Sequence, residues 1–114
     1  MSIDRDAFVL KGWRLSKKKL HKLADKFSID KTIDAWEICQ QILRINKFED
    51  SIVVSEDLAE DYVFFGIEMS SITLDVDVSQ KIKTLTYEQK LNLKNFRSIL
   101  ELPAPAMWHI GRVY

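Results

Sequence analysis

The alternation of apolar and polar positions predicts a central strand over residues 61–69, which is rich in aromatic and β-branched side chains. Successive side chains of a strand point to opposite faces. The fully apolar face carries Val63, Phe65, Ile67 and Met69. The other face carries Tyr62, Phe64, Gly66 and Glu68. The first face requires a cover of helices, whereas the second is half apolar, which is unusual for a face in water.

Three helices are predicted from apolar residues at helical spacing. Residues 16–27 form the first, with Ser16 as the N-cap and a stripe of Leu20, Leu23, Ala24 and Phe27. Residues 31–46 form the second, whose wide apolar arc predicts that it is mostly buried. Residues 87–101 form the third, since Thr86 and Gln89 have capping-box spacing and Pro103 stops the helix.

Further strands are predicted over residues 7–15 and 107–114, with a short strand at 52–54 or a short helix at 56–61. A turn at Ser70-Ser71 would lead into an alternating strand over residues 72–78. The predicted fold class is therefore α+β, with the order β-α-α-β-(β)-α-β in a single domain spanning residues 1–114. We expect a small antiparallel or mixed sheet of three to five strands with about three helices packed mainly on one face.

The core of this fold is expected to lie between the helices and the apolar face of the sheet. Four large side chains should be buried there: Trp36, Phe65, Ile67 and Phe96.

Composition favours a soluble globular chain in a reducing, cytoplasmic compartment. The single cysteine, Cys39, excludes an intrachain disulfide. The first six residues are too acidic for a signal peptide, and no apolar run reaches membrane length.

Charge is unevenly spread, although the formal net charge is zero. Residues 1–31 carry +5, residues 32–80 carry −9 and residues 81–114 carry +4. Two outcomes are open: the segments pair in the fold and even out the surface, or they leave a dipolar surface that steers a charged partner.

Candidate catalytic chemistry is sparse. Asp75 and Asp77 share a face of the predicted strand 72–78, but they lack a third ligand, so we expect a solvated strand face and no metal. Cys39 lies in a helix that is expected to be buried, and nothing in the sequence brings His21 or His109 beside it. No phosphate loop, nucleophile elbow or zinc spacing is found. We therefore expect a non-enzymatic protein without a cofactor.

The lysine-rich helix over residues 16–27 is the candidate surface for nucleic acid. Its cations are Lys17, Lys18, Lys19, Lys22 and Lys26, with Lys11 and Arg14 on the preceding strand. These side chains could track phosphates, while the neutral total and the acidic middle argue against it.

All three glycines lie inside predicted strands, where glycine marks a bulge, a bend or a close approach. If Gly12, Gly66 and Gly111 face the same way, their face leaves a contiguous apolar patch in water. The candidate contact residues on it are Phe8, Leu10, Tyr62, Phe64, Met107 and His109. Trp108 and Ile110 would then lie on the helix-covered face.

The favoured hypothesis is a binding protein that acts through protein–protein contact, as an inhibitor, an adaptor or a self-associating regulator. A homodimer through the glycine-bearing face is its simplest form, because a two-fold contact needs only one patch. A foreign protein partner is the alternative, and nucleic acid bound by helix 16–27 is the rival function. The small size of the chain and the general character of its sequence are consistent with a phage or mobile-element accessory protein.

Overall fold

The computed structural model of this chain describes residues 5–57, 61–73 and 84–113, with side chains described for 8–56, 61–69 and 84–110. The strands are β1 (Arg5–Ser16), β2 (Val53–Asp57), β3 (Tyr62–Thr73) and β4 (Ala106–Val113). The helices are α1 (Lys17–Lys26), α2 (Ala35–Ile45) and α3 (Tyr87–Leu100). The order of elements confirms the predicted α+β class.

The four strands form one sheet in the order β2-β3-β1-β4, and every adjacent pair is antiparallel. Each helical connection therefore joins two parallel strands that have a third strand between them. This is the split βαβ arrangement of ferredoxin-like sheets, with two helices in the first crossover and one in the second. It makes β1 and β3 the central strands and leaves β2 and β4 at the edges.

Side-chain caps set the start of each helix. Ser16 Oγ accepts the N–H of Lys19 at 3.2 Å, as its predicted capping role requires. Asp34 caps α2, so this helix begins at Ala35 rather than at the predicted residue 31. Thr86 caps α3.

The main core lies between the sheet and the three helices, as predicted. Its sheet residues are Val9, Trp13, Leu15, Val63, Phe65, Ile67 and Met69. Its helix residues are Leu20, Leu23, Ala24, Ile38, Cys39, Ile42, Leu43, Leu93, Phe96 and Leu100. Phe96 is its centre, because its ring lies 5.3–5.5 Å from the rings of Trp13, Phe48 and Phe65.

The burial predicted for Trp36 is wrong, although Phe65, Ile67 and Phe96 are buried as expected. Trp36 is 46% exposed because the buried line of α2 runs through Ile38, Cys39, Ile42 and Leu43. Trp36 stands at the border of that arc, near the start of the helix.

The turn predicted at Ser70-Ser71 is also wrong, because β3 continues through both residues to Thr73. The register with β1 shifts here: Val9 pairs with Ser70, whereas Leu10 pairs with Glu68. Met69 is the extra residue of a β-bulge, which bends the strand without ending it. The predicted strand 72–78 therefore contributes Ile72 and Thr73 to β3, and its remainder lies outside the described residues.

The short strand predicted at 52–54 corresponds to β2, which takes up Glu56 and Asp57 and so excludes a helix starting there.

Candidate functional surfaces

Gly12 and Gly66 mark the closest approach of the two central strands. They pair directly across β1 and β3. A Cβ on Gly12 would lie 2.6 Å from the Cα of Gly66 and would overlap the carbonyl oxygen of Phe65. A Cβ on Gly66 would lie 2.5 Å from Leu10 Cδ2 and would overlap the carbonyl oxygen of Lys11. Backbone contact between strands therefore accounts for these glycines.

Gly111 lies on the opposite face of the sheet from Gly12, so the expected common facing is wrong. Gly111 pairs with Ala7, which is five residues from Gly12 on β1, and an odd separation along a strand changes the face. By the same register Met107 pairs with Lys11 and His109 with Val9.

Met107 and His109 consequently lie on the same side of the sheet as the core residue Val9 and the helices, although both side chains are exposed. Trp108 and Ile110 lie on the other side, called here the second face, where they pack on the buried cluster of Phe8, Leu10 and Phe64. Both assignments are the reverse of the prediction.

The second face retains four of the predicted contact residues, but three of them are not in water. Phe8, Leu10 and Phe64 are 2%, 0% and 6% exposed within the chain. Tyr62 is half-buried. The prediction of an exposed apolar patch is therefore wrong for the residues at the centre of that patch. A charge introduced at Phe64 would disrupt the fold.

Arg14 lies at the centre of the accessible part of the second face. Its guanidinium carbon lies 4.3 Å from the ring centroid of Tyr62 and 5.0 Å from that of Trp108. Trp108 packs edge-on against Phe64 at 5.9 Å, and its Nε1 donates to the Gly12 carbonyl at 3.1 Å. Arg14 is exposed and held between two aromatic rings.

Glu68 provides an exposed acidic group on the same face. It pairs with Leu10, four residues before Arg14 on β1. At the rise of a strand this places Glu68 about 13 Å from Arg14 along the sheet.

The lysines of α1 differ in their availability. Lys17 forms an ion pair with Asp61 at 3.1 Å. Lys26 donates to the Ile99 carbonyl at 2.7 Å and lies 3.9 Å from Glu101. Lys18 and Lys22 are exposed and have no ion pair with a described residue. Tertiary contacts thus engage two of the five lysines proposed for nucleic acid.

A second basic surface, which the sequence reasoning missed, lies between α3 and β1. Lys11, Lys90, Lys94 and Arg97 line a cavity of about 190 Å³, together with Leu85, Leu93 and Pro105. We call this cavity the basic groove. The signal in the sequence is the i, i+4, i+7 spacing of Lys90, Lys94 and Arg97, which places them along one side of α3.

Ion pairs between the charged segments of the sequence are few in the described part of the fold. Of the four ion pairs there, Lys17–Asp61 alone joins a basic segment of the sequence to the acidic middle. Glu56 and Asp57 lie on β2, at one edge of the sheet, and the basic groove lies toward the other edge. The dipolar surface stays a prediction.

A larger cleft of about 540 Å³ opens beside the exposed Trp36. Its lining includes His21 and Tyr62, with the carboxylates of Asp34 and Glu56. It combines aromatic, acidic and imidazole groups at the β2 end of the molecule.

Cys39 is buried in the main core, as expected. Burial raises the pKa of its thiol to about 12, and the nearby Glu56 carboxylate adds to the shift. The thiol is therefore protonated and inaccessible at neutral pH, which is unsuitable for a nucleophile.

Within the described residues, no group of three or more His, Cys, Asp or Glu side chains is arranged to hold a metal ion. Asp75 and Asp77 lie outside the described residues. The three described helices are all too short or too polar to cross a bilayer. Comparison with protein-family models, curated proteins and solved structures finds no match to this chain.

Proposed function

We propose that this chain is a non-enzymatic binding protein that associates with a second copy of itself through the second face of its sheet. The observation that carries the proposal is the exposed guanidinium of Arg14 held between Tyr62 and Trp108. Arg, Tyr and Trp are the residue types that dominate binding energy at protein interfaces. A side chain fixed by stacking also loses little conformational entropy on binding.

Charge complementarity favours a second copy as the occupant. Arg14 and Glu68 are both exposed on the second face, about 13 Å apart along the strands. A two-fold axis lying across the strands midway between them brings each Arg14 opposite Glu68 of the second copy. The same pair then forms twice, as an isologous contact requires.

One further feature supports this arrangement. The formal net charge of zero means that no overall repulsion opposes self-association.

The proposal includes a reducing, cytoplasmic location, in which self-association regulates the chain. The single cysteine of the sequence, which leaves no intrachain disulfide, supports this location.

A charge-swap experiment tests the dimer. Arg14→Glu and Glu68→Arg should each convert a dimer into a monomer, because each places like charges opposite one another. The double variant should restore the dimer, because the pair is re-formed with reversed sign. Light scattering coupled to chromatography at roughly 50 µM protein reads the mass against the 13.3 kDa of one chain.

Lys18→Glu is the matched control, since it reverses an exposed charge on α1 that forms no ion pair with a described residue, and it should leave the dimer intact. Circular dichroism melts confirm that each variant is folded. A wild-type monomer at this concentration, or a folded double variant that stays monomeric while the wild type dimerises, would show the proposal to be wrong.

A further inference from the structure

We propose that the basic groove binds the phosphate groups of a single nucleic-acid strand. This site is separate from the dimer surface, because Lys11 of the groove lies on the helix-facing side of β1 and Arg14 lies on the other side. None of the described residues that line it lies on α1.

The charges of the groove are unbalanced within the described residues. Lys11, Lys90 and Lys94 form no ion pair there. Arg97 donates through Nε to the Leu102 carbonyl at 3.1 Å, which fixes its guanidinium and leaves its terminal N–H groups available. None of the described residues that line the groove is acidic. Four cations around one cavity repel one another, and a bound anion relieves that repulsion.

The local structure places these four cations around one cavity. Leu93 is buried in the core, so the adjacent Lys90, Lys94 and Arg97 emerge along the flank of α3. Lys11 is half-buried on the sheet and lines the same cavity as these three cations. Leu85, Leu93 and Pro105 are the apolar residues of its lining.

The size and shape of the groove indicate which anion it suits. Its volume of about 190 Å³ is below the range of cavities that enclose a whole small molecule. Its three helical cations extend over about 10 Å of α3. A row of charges beside a shallow cavity matches an extended chain with a regular succession of phosphates, because such a strand carries one charge per nucleotide.

Fluorescence anisotropy with labelled dT and rU oligomers of about 15 nucleotides tests the proposal, at roughly 50 mM salt. We expect saturable binding at micromolar protein. The logarithm of the affinity should fall against the logarithm of salt concentration with a slope of about −2 to −3, as expected for three to four phosphate contacts on a single strand.

Two double variants with the same charge change locate the site. Lys90→Glu with Lys94→Glu should weaken binding about tenfold or more, because it reverses two groove charges. Lys18→Glu with Lys22→Glu is the matched control, with the same i, i+4 spacing on α1, and should retain the affinity within about twofold. Melting curves verify that both variants are folded.

Other outcomes overturn the proposal. An equal loss in both double variants would show that binding follows overall charge and not the groove. Absence of saturable binding at micromolar protein would remove nucleic acid as the ligand. Competition by pyrophosphate or by an oligoglutamate peptide as strong as that of the unlabelled oligomer would assign the groove to isolated phosphates or to acidic peptides.

Discussion

At the scale of single residues, the Gly12–Gly66 pair sets the geometry of the central strands. Neither residue has a positive φ, so their role is the space that a missing Cβ leaves. The atoms that would be overlapped belong to the backbone of the opposite strand, which cannot move as a side-chain end can. Any larger residue must therefore separate β1 from β3.

We expect Gly66→Ala to destabilise the fold by about 1–3 kcal/mol or more, as overpacking does in a core. Chemical denaturation measures the free energy of unfolding. Ser98→Ala is the control, because Ser98 is an exposed residue of α3 whose loss should change stability by less than about 0.5 kcal/mol. Equal stability of the two variants would contradict the close approach.

At the scale of elements, α3 is the helix whose start is defined most fully. The Gln89 N–H donates to Thr86 Oγ at 3.1 Å, and the Thr86 N–H donates to Gln89 Oε1 at 3.0 Å. This reciprocal capping box satisfies two donors that the first turn would otherwise leave unpaired. The start of α3 also sets the position of Lys90 in the basic groove, the site proposed to bind nucleic acid.

Thr86→Ala should lower the free energy of unfolding by about 1 kcal/mol, since it removes the acceptor of the cap. Thr84→Ala is the control. Thr84 is exposed two residues earlier and its side chain makes no hydrogen bond with a described residue, so its change should be below about 0.5 kcal/mol. Urea denaturation compares the two. A Thr86 variant as stable as the Thr84 variant would refute the contribution of the cap.

At the scale of the whole molecule, one core joins all three helices to one face of the sheet. Phe65 is fully buried on β3, and its ring lies 5.5 Å from that of Phe96 on α3. Glu56 and Asp57 lie on β2 at one edge of the sheet, while the basic groove lies toward β4 at the other edge. The proposed dimer surface and the basic groove lie on opposite faces of the sheet.

We expect Phe65→Ala to cost about 3–5 kcal/mol, because it empties the centre of the core. Trp36→Ala removes a larger side chain that is 46% exposed, and should cost less than about 1 kcal/mol. Thermal and urea denaturation measure both. If the two substitutions lowered the free energy of unfolding equally, Trp36 would have to be buried as the sequence predicted. That result would contradict the observed packing of α2.

The sequence by itself determined the α+β class, the order of the elements and the capped starts of α1 and α3. The helical spacing of apolar residues and the chemistry of helix caps depend on nearby residues only. The core positions of Leu20 and Leu93 and the capping role of Thr86 could therefore be predicted from their sequence neighbours. The apolar face of β3 was equally readable, because alternation within one strand needs no partner.

Only the tertiary structure decided which face of β4 meets the helices, since the parity of its pairing with β1 sets that choice. It also decided that Trp108 and not Met107 joins the second face. The basic groove arises in the same way, because Lys11 and Lys90 are far apart in sequence and meet only when α3 packs on the sheet. The register between distant strands and the packing of α3 on the sheet therefore determine which residues form the second face and the basic groove.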